Sequence, residues 1–148
     1  MTTSLSRRTL VMAGAGLCTT PLLVACAARP QLAKPVSVGA LFAGRVDDKG
    51  FMESGWRGLE RARTELGAQT TFIDRIEPKK ELLVAALTQL AQSGVALVVA
   101  HGGQNNEACA EVAARFPAVK FVVTQGAVTA PNLASYDVLQ EESAYLAG

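Results

Sequence analysis

Residues 94–106, GVALVVAHGGQNN, constrain the fold more than any other stretch of the chain. An uninterrupted apolar run, residues 95–100, leads into a polar, glycine-rich turn, His101-Gly102-Gly103-Gln104-Asn105, and a helical pattern starts near Asn106. An apolar run of this length without alternation is what a strand buried on both faces requires. Strand, Gly-rich turn and helix in succession mark the carboxyl edge of a parallel sheet, where open α/β folds place their ligands. The rest of the chain reads as repeats of the same unit.

Upstream, residues 36–42 (VSVGALF) form a strand candidate and residues 43–50 (AGRVDDKG) a polar loop. Residues 51–66 have helical spacing. Phe51, Gly55, Leu59, Ala62 and Leu66 share one face, while Glu53, Arg57, Glu60, Arg61 and Glu65 take mostly the other. Gly67 is a helix stop. Residues 70–73 form a short strand rich in β-branched residues. Pro78 opens a second helix at its favoured first turn, with Leu83, Ala86, Leu87 and Leu90 as its apolar stripe and Gly94 after its end. A third helix over residues 106–115 buries Ala108 and Val112, with Cys109 and Ala113 as further candidates. Residues 119–124 (VKFVVT) and 133–139 (LASYDVL) are a fourth and a fifth strand, and a fourth helix starts at residues 141–148. The order β-α-β-α-β-α-β-β-α implies α/β architecture: a three-layer, Rossmann-like parallel sheet with right-handed crossovers. The sequence stops within a turn or two of a helix start, which reads as a fragment or a truncated relative of a longer chain.

The first 25 residues read as an address. Residues 1–8 are polar and end in Arg7-Arg8, and residues 9–25 are apolar and small, which fits a signal peptide better than a spanning helix. Ser6-Arg7-Arg8-Thr9-Leu10-Val11 partly matches a twin-arginine export motif, with ordinary secretion as the alternative. Leu23-Val24-Ala25-Cys26 resembles a lipobox, so Cys26 is the expected lipidated N-terminus of the mature protein. Residues 26–34 follow as a lipid-anchored, proline-containing tether, and residues 35–148 as the α/β lobe. Net charge is +1, and removal of Arg7 and Arg8 with the leader brings it near −1. Nucleic acid is therefore not an expected partner. The three cysteines, Cys18, Cys26 and Cys109, are too scattered for a disulfide framework, and one histidine argues against a multi-histidine metal centre.

Four segments carry a resemblance to a known family. Asp47-Asp48-Lys49-Gly50-Phe51, followed by Gly55-Trp56-Arg57-Gly58-Leu59, resembles the "DDKSFN…GxxGL" segment of the basic membrane protein (BMP), or PnrA-like, family. Residues 94–100 resemble its "GxDLIIAxG" strand, and residues 111–121 its "EVAxxYPDVKF". Residues 131–135, then 141–148, resemble "PNVAS…EESAYLAG". The family comprises substrate-binding lipoproteins of ABC transporters, built from two lobes with ligand between them. The resemblance covers only the N-terminal lobe. It implies one lobe of a periplasmic-binding-protein type I fold, an ABC permease as partner, a purine nucleoside or related small molecule as ligand, and no cofactor. Gly50 and Met52 stand where the family has Ser and Asn, and His101 stands where a small residue is expected.

The resemblance makes Phe51 the aromatic that stacks on a base, with core packing at the helix start as the alternative role. Asp47 and Asp48 precede that helix. Either suits an N-cap or a hydrogen-bond acceptor for a base edge or ribose. His101, Gly102 and Gln104 sit at the strand end, where glycines let a ligand approach backbone N–H groups. Gln125, at the end of the next strand, lines the same expected crevice. A cysteine–histidine dyad of Cys109 and His101 is disfavoured because Cys109 is expected to face the core. The first strand lacks a GxGxxG dinucleotide fingerprint. The reading is a solute-binding lipoprotein with no catalysis. The alternative is a half-protein with an interaction role and no transport ligand.

Overall fold

The computed structural model describes residues 35–137 and residue 145. The leader, the Cys26 lipobox and the tether lie outside them, as do all of residues 138–148 except Tyr145. All described residues belong to one compact unit, Leu32–Gly148. No helix among them is long and apolar enough to cross a membrane.

Strand β1, Ser37–Phe42, is followed by helix α1, Phe51–Leu66, then β2, Gln69–Ile73, and α2, Lys80–Gln92. β3, Leu97–His101, runs through a single 3-10 turn, Gly103–Asn105, into α3, Asn106–Arg115. β4, Lys120–Thr124, and β5, Leu133–Tyr136, complete the unit. The five strands form one sheet in the order β2-β1-β3-β4-β5, parallel throughout. The organising stretch thus supplies the central strand.

This order fixes where the helices lie. The chain leaves β1 in one direction, to β2, and leaves β3 in the other, to β4. Right-handed crossovers then put α1 on one face and α2 and α3 on the opposite face. The core divides accordingly. Leu83, Leu87 and Leu90 of α2 and Ala108, Cys109, Val112 and Ala113 of α3 pack on Leu41, Val98, Ala100, Phe121 and Val123. On the other face only Leu59 of α1 is fully buried, against Val38, Ala40 and Phe42. The reversal between β1 and β3 opens a crevice beyond their carboxyl ends, where this class of sheet binds ligands.

Three expectations change. β3 is buried on one face only. Val98 and Ala100 are fully covered, while Leu97 and Val99 are half-covered, because α1 packs over β1 and β2 and no other described element lies on that side. For the same reason Leu66 of the α1 stripe is 68% exposed, not buried. Pro78 does not open α2. The Lys79 N–H donates to the Glu77 carbonyl at 2.7 Å, closing a tight turn around Pro78, and the helix begins at Lys80. Strand ends shift by a residue or two, and β5 ends at Tyr136. One shift matters for the site: His101 is the last residue of β3, paired in register with Phe42, not the first residue of the turn.

Candidate functional site

The carboxyl ends of β1, β3 and β4 carry every candidate residue. After β1 the chain makes a polar loop whose two aspartates divide their work. Asp47 is paired side-on with Arg45, Nε to Oδ1 at 2.8 Å and Nη2 to Oδ2 at 2.7 Å. That hydrogen bond is the main reason its carboxyl is held down to about 2. Both partners are exposed, so the pair adds little to stability. Asp48 is the helix cap. Its Oδ1 accepts the N–H groups of Gly50 at 2.8 Å and Glu53 at 3.0 Å, and its Oδ2 accepts that of Met52 at 3.1 Å. The Glu53 N–H is the largest cause holding its carboxyl below the usual range. Glu53 reaches back to the Lys49 N–H at 3.0 Å, so the first turn of α1 is tied from both directions.

This cap places Phe51 as the first residue of α1, half-buried over the end of the sheet. Its ring stacks on the His101 imidazole, centroids 4.0 Å apart and planes 19° off parallel. His101 is 7% exposed. Its Nε2 donates to the Phe51 carbonyl at 2.9 Å, and its Nδ1 lies 2.9 Å from Thr124 Oγ1. Phe42 meets the imidazole edge-on at 5.6 Å. Burial pushes the His101 pKa down, opposed by the Phe51 carbonyl and the charge of Asp48. The backbone of α1 also lies against this ring. A Cβ at Gly55 would stand 2.7 Å from it, so the helix approaches this closely only because residue 55 is glycine.

The turn after β3 is equally committed. Gly102 has φ 104, a conformation glycine adopts without strain. Its N–H donates to Thr124 Oγ1 at 3.0 Å. Asn105 is fully buried, and its Nδ2 donates to the carbonyls of His101 and Gly102. Gln104 is exposed, with one long contact of 3.4 Å to the His101 carbonyl. At the end of β4, Gln125 adopts φ 52 although it is not glycine, a strained conformation of the kind found at ligand sites.

A groove of about 700 Å³ runs beneath α1 along the uncovered face of the sheet. At the carboxyl edge it is walled by Phe51, Ser54, His101, Thr124, Gln125 and Tyr136, and further along by Val38, Leu97 and Val99. A second, polar hollow of about 490 Å³ is lined by Asp47, Lys49, Gly50, Glu53, Ser54 and Arg57. Ser54 belongs to both. The structure therefore brings Phe51, His101 and Gln125 to one groove and Asp47 to its polar neighbour. Asp48 is occupied by the cap, and Gly102 and Gln104 line neither hollow. Sequence reasoning missed Thr124, Ser54 and Tyr136. Thr124 carried a usable signal, because it is the polar end of an apolar strand and directly precedes Gln125.

The Cys109 thiol is buried, and desolvation pushes it up to about 12, so it is not a nucleophile at neutral pH. Both His101 nitrogens are engaged within the protein. Among the described residues no group of three or more His, Cys, Asp or Glu is placed to hold a metal ion.

A parallel sheet wound both ways from β1 and β3, clad by helices on both faces and grooved at its carboxyl edge, is one lobe of a periplasmic-binding-protein type I fold. The family follows from the sequence: residues 35–148 match the model for PnrA-like ABC transporter substrate-binding proteins, and the chain belongs to that family. A solute-binding protein of an ABC transporter system from Aeropyrum pernix K1 superposes with a TM-score of 0.67 at 30% identity, covering 76% of this chain and 31% of that one. Its counterpart from Conexibacter woesei DSM 14684 gives 0.63 at 26% identity, covering 69% and 35%. The transcriptional activator protein med of Bacillus subtilis (strain 168) is 23% identical over 127 residues. The chain spans 40% of the length of that curated relative and about a third of each solved chain.

Proposed function

We propose that this chain is the N-terminal lobe of a solute-binding lipoprotein of an ABC importer, and that it captures a purine nucleoside or a close relative. The protein is exported, held at the membrane through lipid on Cys26, and presents its ligand to a permease. Capture needs no covalent step. The base lies on Phe51, the ribose hydroxyls face Ser54 and Asp47 in the adjoining polar hollow, and a second lobe closes over both. Closure makes the ligand part of the interface, so the loaded form is the one the permease receives. Family membership supports the binding role.

The observation that carries the nucleoside reading is the placement of Phe51. Its ring stands at the topological switch point, at the mouth of a groove, beside a polar hollow of a size to take a sugar. The test is calorimetric titration of the protein, purified in its native full length, with inosine, guanosine, uridine and free ribose. The reading expects saturable binding of the purine nucleosides, weaker binding of uridine, and none of ribose. Equal binding of ribose and inosine would remove the base from the recognition.

A further inference from the structure

We propose that Tyr136 is a specificity-determining residue: its ring is a second aromatic wall of the groove, set across Thr124 from the Phe51–His101 stack, and the site takes a planar ring system between the two. The proposal rests on the stacking reading above and names what selects the base.

Strand register builds a row of side chains along the carboxyl edge of the sheet. Phe42 is paired with His101, His101 with Thr124, and Thr124 with Tyr136. Partners in register share a face, and Phe42, packed with Leu59, fixes it as the face of α1. The row is uneven in height. His101 carries the Phe51 ring stacked on it. Tyr136 is large, and Thr124 between them is short. Neighbouring strands are about 4.8 Å apart, so Tyr136 starts about 10 Å from His101. A flat ring needs about 3.5–4 Å to the carbon atoms on each side of it. The gap over Thr124 therefore takes one such layer. Phe51, His101, Thr124 and Tyr136 all line the same groove.

The backbone of Tyr136 is held while its ring is free. The chain turns left-handed at Gln125, and the next N–H, that of Gly126, donates to the Tyr136 carbonyl at 3.3 Å. Gly126 has no room for a side chain, because a Cβ there would stand 2.7 Å from Asn106 and Val123 and 2.8 Å from Ser135. The end of β5 is thus fixed against the end of β4. The Tyr136 side chain contributes nothing to the core: the residue is 53% exposed, and no described residue stacks on its ring or bonds its hydroxyl. A tyrosine so placed offers a large, rigid apolar surface with a polar tip. The floor of the gap offers contact rather than hydrogen bonds, since the Thr124 hydroxyl is already engaged by His101 and Gly102. Such a gap favours a flat ring system over a bare sugar.

The test is made in the protein purified in its native full length, with inosine as the probe. Tyr136→Leu keeps apolar bulk and removes the ring, and because the position is exposed its unfolding midpoint should match that of the parent. Its inosine affinity should fall about tenfold, as loss of one stacking partner does, and its preference for inosine over uridine should narrow. Tyr136→Phe should keep both. In the parent, NMR signals of the Tyr136 ring, assigned through Tyr136→Phe, should shift as inosine saturates the site. Inosine bound as tightly by Tyr136→Leu as by the parent, or Tyr136 signals unmoved at saturation, overturns the proposal and leaves the role of Phe51 intact. An equal loss in Tyr136→Phe and Tyr136→Leu assigns the contact to the hydroxyl and overturns the aromatic wall. Failure of the parent to bind any nucleoside removes the nucleoside reading, and the proposal falls with it.

Discussion

Asp47 and Asp48 are neighbours with the same side chain and opposite consequences. Asp48 spends both oxygens on three backbone N–H groups at the start of α1. Its carboxyl is held below the ordinary value, so its contribution to stability is present above about pH 4 and is lost as the pH falls through the folded value. Asp48→Ala should therefore lower the urea midpoint at pH 7 and flatten the loss of stability in acid. Asp47→Ala should leave the midpoint where it is, since its pair with Arg45 is exposed. Urea titrations of both variants at pH 7 and at pH 3 check this. Cys109 gives a second test. A thiol pushed up to about 12 inside the core should resist alkylation at pH 7.5 in the native chain and react once the chain is unfolded, read by mass spectrometry at that residue. Rapid native alkylation at Cys109 would mean that α3 opens far more readily than its packing implies.

At the scale of the element, α1 decides the geometry of the site, and two of its glycines separate propensity from packing. Glycine inside a helix costs about 1 kcal/mol relative to alanine. At Gly58 a Cβ would meet nothing within 4 Å, so Gly58→Ala should stabilise the protein by up to about 1 kcal/mol. At Gly55 the same atom would stand 2.7 Å from the His101 ring, so Gly55→Ala should destabilise it by about 1–3 kcal/mol despite the better propensity. Thermal or urea unfolding of the pair decides it, and equal shifts for the two would show that α1 does not press on His101. The helices were legible in the sequence wherever one face did all the packing. The α2 stripe and the buried face of α3 lie where the 3.6-residue spacing puts them. The α1 stripe was half right, because spacing shows which residues share a face but not how much of that face finds a partner. Leu66 remained exposed for that reason.

For the whole molecule, strand order was not readable from the chain, but its consequence was. Alternating strands and helices implied a parallel sheet, and open parallel sheets as a class place their ligands beyond the carboxyl ends of their strands. That put Phe51, His101 and Gln125 together before any distance was known. What stayed hidden was the long-range chemistry. Thr124 is 23 residues from His101 and 22 from Gly102, yet its one hydroxyl joins both. No local pattern encodes such a contact. The central claim remains that Phe51 acts through its π-face and does more than pin α1 to the core. Phe51→Leu keeps the apolar bulk at the helix start and removes the ring. The deciding measurement is the inosine affinity of that variant against the parent chain, alongside their unfolding midpoints. Stacking at about 1–3 kcal/mol per base predicts a loss of tenfold or more in affinity with little change in stability. Unchanged affinity with a lower midpoint would make Phe51 a core residue and contradict the account.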